Sequence, residues 1–527
     1  MAALTTSLFD EGAPEPCPHA FNAAAYCLSA SAQAHPDKTA LIVVSDPLSL
    51  EPAERWSFAQ LHDAVQRLAA GFKHMGLQPG ERVMLRLGNH SSFPLIFFAT
   101  IAAGGIAVPT SSQLTNREAR FIAEDCGARF VCTSADLKLD DVAKGCTQLL
   151  DDDIRDLMSC EDLADYAHTH ADDPAYIVYT SGATSAPKGV LHAHRAVWAR
   201  RMMFEGWYGL SETDRMLHAG AFNWTYTLGA GLMDPWAVGA CTIIYNGDKD
   251  PGVWPRLAAE HQATLFAAVP SLYRQMLKYA DHIGEGFAHL RHGLTAGEKL
   301  SESVRENWQS VTGKPLFEAL GMSECSTYAS SSPTVAVKPG FTGRPQKGRR
   351  VAILNLDEGS TQTVALNEAG LLALHKDDPG LMLGYWKQDS QTQAAFRGDW
   401  FLTGDLALLD EDGYLQYLGR ADDLMNAQGY RVSPQDIEDV LVHHPAVHEC
   451  ACTEIRVRGD LSIIGAFIVT HANAQPSVQD LTAYATERLA AYKMPKQFIF
   501  VDALPHSATG KVLRRELPAL FEKIKPV

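Results

Sequence analysis

Residues 176–189 read Tyr-Ile-Val-Tyr-Thr-Ser-Gly-Ala-Thr-Ser-Ala-Pro-Lys-Gly. The first four form an aromatic and β-branched run that predicts a strand, and Thr180 to Gly189 packs hydroxyls, glycine and one lysine into the loop behind it. A loop of this make-up suits a phosphate-bearing ligand: backbone N–H groups can approach closely, hydroxyls donate, and one mobile cation balances charge. The same composition also serves an ordinary surface turn. The spacing departs from G-x-x-x-x-G-K-[ST], and Lys188 is followed by Gly189 instead of a magnesium-binding hydroxyl, so a Walker-type loop is disfavoured.

Working outward, short apolar runs alternate with helical spacing through the first four hundred residues. Thr39 to Val44 precedes the helical pattern Leu61 to Met75, and Thr264 to Ala268 precedes a helix start at Pro270-Ser271. This alternation predicts an α/β fold of layered sheets and helices. A chain of 527 residues, 46% of them apolar, is too long for one small domain and can fill a large core.

After Arg420 the pattern changes. Ser433-Pro434-Gln435-Asp436 reads as N-cap, first-turn proline and capping-box acid of a helix burying Ile437, Val440 and Leu441. Strand-like Cys450 to Val457 and Ile463 to Val469 follow, then a capped helix at Ser477-x-x-Asp480 and an apolar strand, Phe498 to Val501. We therefore expect a large domain over 1–419, a junction at 420–423, and a small α+β domain over 424–527.

Composition excludes several classes. The formal charge is 45 − 62 = −17, with no long basic tract, so nothing here tracks a nucleic-acid backbone. Asp10, Glu11 and Glu15 precede any apolar stretch of signal-peptide length, which makes the cytoplasm the expected compartment. Phe93 to Val108 is broken by Pro94 and Gly104-Gly105 and reads as a buried helix leading into a strand, not a membrane span. Cys450 and Cys452 alternate within a strand-like run, and His192 and His194 lack a third ligand, so neither pair supports zinc. No charged tail sets an oligomeric state, and monomer and homodimer are both compatible.

Further segments combine glycine with charge: Ala296-Gly-Glu-Lys-Leu300, Leu320-Gly-Met-Ser-Glu324, the run from Thr403-Gly-Asp405 through Gly419-Arg-Ala-Asp-Asp423 to Gly429-Tyr-Arg431, and Pro505-His-Ser-Ala-Thr-Gly-Lys511. Each alone is unremarkable turn chemistry. In this order, together with the loop after Tyr179, they make the chain resemble the acyl-adenylate-forming superfamily of acyl-CoA synthetases, peptide-synthetase adenylation domains and firefly luciferase.

The resemblance implies roles residue by residue. Thr180, Ser181, Gly182, Thr184 and Lys188 match the loop that holds the ATP phosphates, with Gly297 and Glu298 in a second nucleotide-side loop. Glu324 matches the Mg²⁺-binding acid and Ser323 the residue beside the α-phosphate. Asp405 matches the carboxylate that grips the ribose hydroxyls, assisted by Arg420, and Arg431 joins the phosphate contacts. Lys511 matches the catalytic lysine of adenylation, Asp422 the hinge, and Gly429 the channel for the thiol of coenzyme A. A lysine beside the α-phosphate stabilises charge that develops only in the transition state.

By the same resemblance the acyl pocket involves Trp224, Thr225, Tyr226, Ala296, Gly321, Thr327 and Tyr328, and the stretch 220–244 is similar to benzoate-CoA ligases. The expected activity is an ATP- and Mg²⁺-dependent acid:CoA ligase acting through an acyl-AMP on an aromatic or medium-chain acid. The alternatives are an enzyme that loads a carrier protein and a silent acyl-nucleotide-binding protein. No Asp opens the pocket segment where an amino acid's ammonium would need a partner, so α-amino acids are disfavoured. Two departures stand out: Ser185 replaces a customary glycine of the phosphate loop, and Leu320 replaces an aromatic that often stacks on adenine.

Overall fold

The computed structural model describes residues 4–524 except 50, 143, 181–186, 249, 358, 422, 424, 428–429, 459–460, 473, 490–492 and 507–511, with backbone alone at 426–427, 430–431, 457–458 and 461–462. The chain divides into two compact units. One comprises Phe9–Val351 with Leu374–Phe401, and the other Met1–Leu8, Ala352–Ala373 and Leu402–Val527.

The larger unit is α/β, built on two mixed sheets. Nine strands form the first, with Leu316–Met322, His292–Ala296, Leu265–Ala268, Arg215–His218, Cys241–Tyr245 and Thr39–Val44 side by side and parallel. Antiparallel strands close both ends, and at one of them Leu316–Met322 turns back into Ser326–Ser330. The second sheet has seven strands in the order Gly384–Tyr385, Lys188–Ala193, Pro174–Thr180, Ile106–Thr110, Arg82–Arg86, Ala128–Thr133 and Thr147–Leu149.

Helices Ala23–Ala34, Phe58–His74 and Ser92–Ala102 share one apolar cluster with residues of both sheets, among them Leu41, Val43, Ile244, Val83 and Phe130. In Ser92–Ala102 every residue from Phe93 onward is buried, and strand Ile106–Thr110 follows directly. An all-round apolar helix is a core helix. No helix among the described residues is long and apolar enough to cross a membrane.

In the smaller unit, Val447–Arg458 pairs antiparallel with Leu461–Thr470, which pairs parallel with Gln497–Phe500. Side chains alternate across this sheet. Cys452, Ala466, Ile468 and Phe498 pack with helices Pro434–Leu441 and Val478–Thr486, while Ala451, Ile455, Phe467 and Ile499 pack with helix Leu517–Ile524. The period of two thus gives each face its own helical cover.

The capping box expected at Ser433 does not form. Ser433 caps Gln435 N–H at 3.3 Å and donates to Leu418 O, while Asp436 is drawn to Lys493 Nζ at 2.6 Å. An ammonium is the stronger partner for that carboxylate than a backbone amide. At Ser477 the full capping box is present.

Three histidines are core components. His194 Nδ1 accepts from Ala23 N–H, capping a helix start, and His292 Nε2 lies 2.7 Å from Tyr208 O. Burial lowers the pKa of His192 to about 3 and of His194 and His292 to about 4. A depressed folded pKa means the unfolded chain binds more protons below the free histidine value, so stability present above about pH 6.5 is lost as pH falls towards 4. We expect the denaturant midpoint to drop over this window, and His194→Asn to reduce the slope by up to about 1.4 kcal/mol per pH unit. An unchanged slope contradicts the assignment. Separately, Trp308, fully buried against Tyr273 and Phe287, should cost about 3–5 kcal/mol on truncation to alanine, read as a lower unfolding midpoint.

Candidate active site

Strands Pro174–Thr180 and Lys188–Ala193 run antiparallel, with Thr180 opposite Lys188, so they close on the loop 181–186 from both sides. Ser181, Gly182, Thr184 and Ser185 lie outside the described residues, as do Asp422, Gly429 and Lys511. The hairpin packs tightly at its base: a Cβ on Gly189 would fall 2.9 Å from Ile177 and 3.1 Å from Trp386.

Strand Gly384–Tyr385 pairs with Val190 and Leu191 on the outer edge of this hairpin. It brings Tyr385 between two groups singled out in the sequence. The Lys188 ammonium stands 5.4 Å from the centre of the Tyr385 ring, and the Tyr385 hydroxyl donates to Glu324 Oε1 at 2.8 Å. A lysine over an aromatic face gains electrostatic attraction without losing its mobility. Tyr385 was not among the sequence-selected residues. The Gly-Tyr-Trp run at 384–386 was the available signal, but nothing local links it to Glu324.

Glu324 sits in the turn between strands Leu316–Met322 and Ser326–Ser330. A methyl on Gly321 would fall 2.5 Å from Ser326 O and Thr327 Cα, so only glycine lets the two strands cross here. Ser326 takes the left-handed conformation, φ 65°. Beyond the tyrosine hydroxyl, Glu324 makes no ion pair with any described lysine, arginine or histidine. A carboxylate so placed fits a hard divalent cation that takes one or two protein oxygens and completes its shell with phosphate and water.

Ser323, Thr225 and His192 line a small enclosed cavity with Tyr176, Arg200 and Ser326; at about 10 Å³ it has room for a single water. Of the expected acyl-pocket residues, Tyr226 stacks on Trp207 and donates to Leu294 O at 3.2 Å, and Tyr328 is fully buried. Trp224 is half-buried at the start of helix Thr225–Leu228. Thr327 and Ala296 are buried in the two strands that flank Leu316–Met322. Gly297 has φ 93°, and Glu298 caps helix Pro270–Tyr279 through Ser271 N–H and Oγ.

Strand Trp400–Leu409, which belongs to the smaller unit from Leu402 onward, pairs antiparallel with Leu415–Arg420, setting Asp405 opposite Arg420. Arg420 Nη1 donates to Asp405 Oδ1 at 3.2 Å and to Thr403 O at 3.0 Å. Gly404, φ 76°, makes room, because a Cβ there would meet Arg420 at 2.5 Å. Strand Tyr430–Val432 places the Arg431 backbone opposite Asn426. Downstream of Lys511, Arg514 donates through Nε and Nη2 to Glu438, and Glu438 also accepts the Cys452 N–H at 2.6 Å.

Among the described residues one mixed cluster has metal-ligand chemistry: His74, Cys160 and Asp162. Cys160 approaches Nδ1 at 3.8 Å and Asp162 approaches Nε2 at 3.4 Å. The two groups address different nitrogens of one ring, so they satisfy the imidazole instead of converging on a shared ion.

Residues 28–386 match the AMP-binding enzyme family and residues 436–511 the AMP-binding enzyme C-terminal domain. Benzoate–CoA ligase of Thauera aromatica is 30% identical, covering 89% of this chain and 91% of its own. A 3-hydroxybenzoate–CoA ligase of Aromatoleum sp. (strain CIB) is 28% identical over 91% and 94% of the two chains. The crystal structure of the anthranilate CoA ligase AuaEII with anthranoyl-AMP superposes with TM-score 0.85 at 27% identity, covering 96% of this chain and 98% of that one. The chain belongs to the AMP-binding enzyme family and is an AMP-forming acid:CoA ligase, an acyl-CoA synthetase.

Removing the Tyr385 hydroxyl leaves the ring under Lys188 but frees Glu324 to rotate. Tyr385→Phe should slow adenylate formation about tenfold, the equivalent of one lost hydrogen bond to a charged group. Wild-type rates of ATP–pyrophosphate exchange in this variant would contradict a role for the contact.

Proposed function

We propose that the enzyme activates an aromatic or medium-chain carboxylic acid, using Lys188, Glu324 and Ser323 around the phosphates, Asp405 and Arg420 at the ribose, and Lys511 at the reacting carboxylate. The observation that carries this reading is the Lys188–Tyr385–Glu324 arrangement, which holds a cation and an anchored carboxylate beside one loop of phosphate-binding composition.

The first half-reaction joins a carboxylate oxygen to the α-phosphorus and expels pyrophosphate. Ser181, Gly182 and Thr184 supply donors to the departing phosphates together with Thr180 and Lys188. Mg²⁺ held by Glu324 would neutralise phosphate charge. Lys511 stabilises the pentacoordinate phosphorus, because its ammonium meets more negative charge there than in the ground state. Gly297 and Glu298 shape the neighbouring loop, and Arg431 adds a phosphate contact.

In the second half-reaction the thiol of coenzyme A attacks the acyl carbonyl and AMP leaves. Gly429 leaves room for the pantetheine arm, and Asp422 is the hinge that exchanges Lys511 for the thiol path. A hinge at Asp422 would divide the chain into a large domain over 1–419 and a small one over 424–527, a later boundary than the start of the compact smaller unit's main segment at Leu402. A lysine needed in one step and obstructive in the next requires such an exchange. The acyl end lies against Trp224, Thr225, Gly321 and Thr327, a wall that favours apolar and aromatic acids.

ATP–[³²P]pyrophosphate exchange across benzoates, fatty acids and amino acids tests the reading. Exchange should appear with benzoates or medium-chain acids and with no α-amino acid; silence with every acid contradicts it. Lys511→Ala should lower adenylate formation by at least about a hundredfold while sparing thioester formation from supplied acyl-adenylate. Equal loss of both steps would refute the two-state role. Trp224→Ala should change the order of accepted acids, and an unaltered order would return Trp224 to the core.

A further inference from the structure

Two ion pairs lie deep in the larger unit and belong to none of the sequence motifs. Arg200, 4% exposed, meets Asp234, 1% exposed, through Nε at 2.7 Å and Nη2 at 2.6 Å, and Tyr208 donates to the same carboxylate at 2.8 Å. Arg349, 1% exposed, donates through Nη1 to Asp378 at 2.6 Å. Burying an ion pair costs desolvation that its attraction often fails to recover, so stability alone does not explain two of them.

Each guanidinium also donates into one short segment, Ser323–Thr327. Arg200 Nη1 donates to Ser326 Oγ. Arg349 Nη2 donates to Thr327 O at 2.9 Å, and its Nη1 lies 3.2 Å from Cys325 Sγ. From the segment that carries Asp378, Met382 N–H donates to Glu324 O at 2.8 Å. The turn Ser323–Thr327 is therefore gripped at Glu324, Cys325, Ser326 and Thr327 from two directions. The berth is cut to fit: a methyl on Gly229 would fall 1.8 Å from Arg200 Nη2, and one on Gly380 would fall 3.1 Å from Arg349 Nη1.

We propose that Arg200 with Asp234, and Arg349 with Asp378, are positioning residues of adenylation: their spare donors fix the Ser323–Thr327 turn and so aim the Glu324 carboxylate. The forked guanidinium is required, since it can serve a carboxylate and a second acceptor at once, whereas an ammonium presents a single point charge. The proposal rests on the reading that Glu324 serves the nucleotide chemistry, and its test separates the two.

Replacing a whole buried pair by apolar residues of similar volume tends to preserve folding, whereas removing one partner strands a charge. The informative variants are accordingly Arg200→Met with Asp234→Leu, Arg349→Met with Asp378→Leu, and the conservative Arg349→Lys, with Glu324→Gln alongside. In each double variant the melting temperature should stay close to wild type. The Mg²⁺ concentration for half-maximal ATP–pyrophosphate exchange should rise about tenfold to a hundredfold, the scale of a misplaced catalytic group. Thioester formation from supplied acyl-adenylate should stay within about twofold.

Hydrogen exchange of the peptide 321–330 should accelerate in the same variants, with neighbouring strands unchanged, and Arg349→Lys should fall between them and wild type. A Mg²⁺ midpoint and exchange pattern that stay at wild-type values in both double variants, while Glu324→Gln abolishes adenylation, overturn the positioning role and leave the site assignment standing. If Glu324→Gln is itself fully active, the reading of Glu324 falls, and the aiming role falls with it.

Discussion

One hydrogen bond, from the Tyr385 hydroxyl to Glu324, carries a large share of the site. Tyr385 stands on the edge strand beside the hairpin of Pro174–Thr180 and Lys188–Ala193 in one sheet, and Glu324 on the turn that ends a strand of the other. Without a crossing contact the lysine side and the carboxylate side of the site would be set by two independent sheets. At 2.8 Å, with the tyrosine ring also facing Lys188, one side chain touches both the cation and the anion. On the proposed role of these groups, little error is tolerated there, since charge stabilisation depends on donors placed before the reaction begins.

The surroundings of that turn follow from the same need. A reverse turn joining two antiparallel strands is normally the loosest part of a sheet, and here it must hold a carboxylate still. Backbone hydrogen bonding alone leaves Ser323–Thr327 poorly supported, with an irregularity at Leu320/Gly321 and a left-handed residue at Ser326. Buried arginines supply what the ladder cannot, because one guanidinium can neutralise an aspartate and still donate elsewhere. Cys325 is drawn into this network, its thiol pushed well up by burial and by the nearby Asp378 carboxylate. It packs in the core and makes weak hydrogen-bond contacts to Arg349 and Asp378.

The α/β class, the helix–strand pair at 93–108 and the alternating strands of 447–500 were legible because each is a local pattern of apolar spacing. The motifs that carry the family resemblance were legible for a similar reason: their glycines, hydroxyls and charges are contiguous. What escaped the sequence depends on partners far apart in the chain. Tyr385 and Glu324 are 61 positions apart, Arg200 and Asp234 are 34, and Arg349 and Asp378 are 29. In isolation Arg200-Arg201, Arg349-Arg350 and Asp377-Asp378 read as solvated surface charge. The capping box at Ser433 failed on the same account, since Asp436 met Lys493, 57 residues away.

In the proposed reaction the acid is activated by direct attack of its carboxylate on the α-phosphate. Supplying the acid with ¹⁸O in both carboxylate oxygens and weighing the AMP released in the presence of coenzyme A tests it most directly. AMP should carry one ¹⁸O per turnover, the oxygen left behind when the thiol takes the acyl group. Thioester formed with unlabelled AMP, or with label in inorganic phosphate instead, would contradict it.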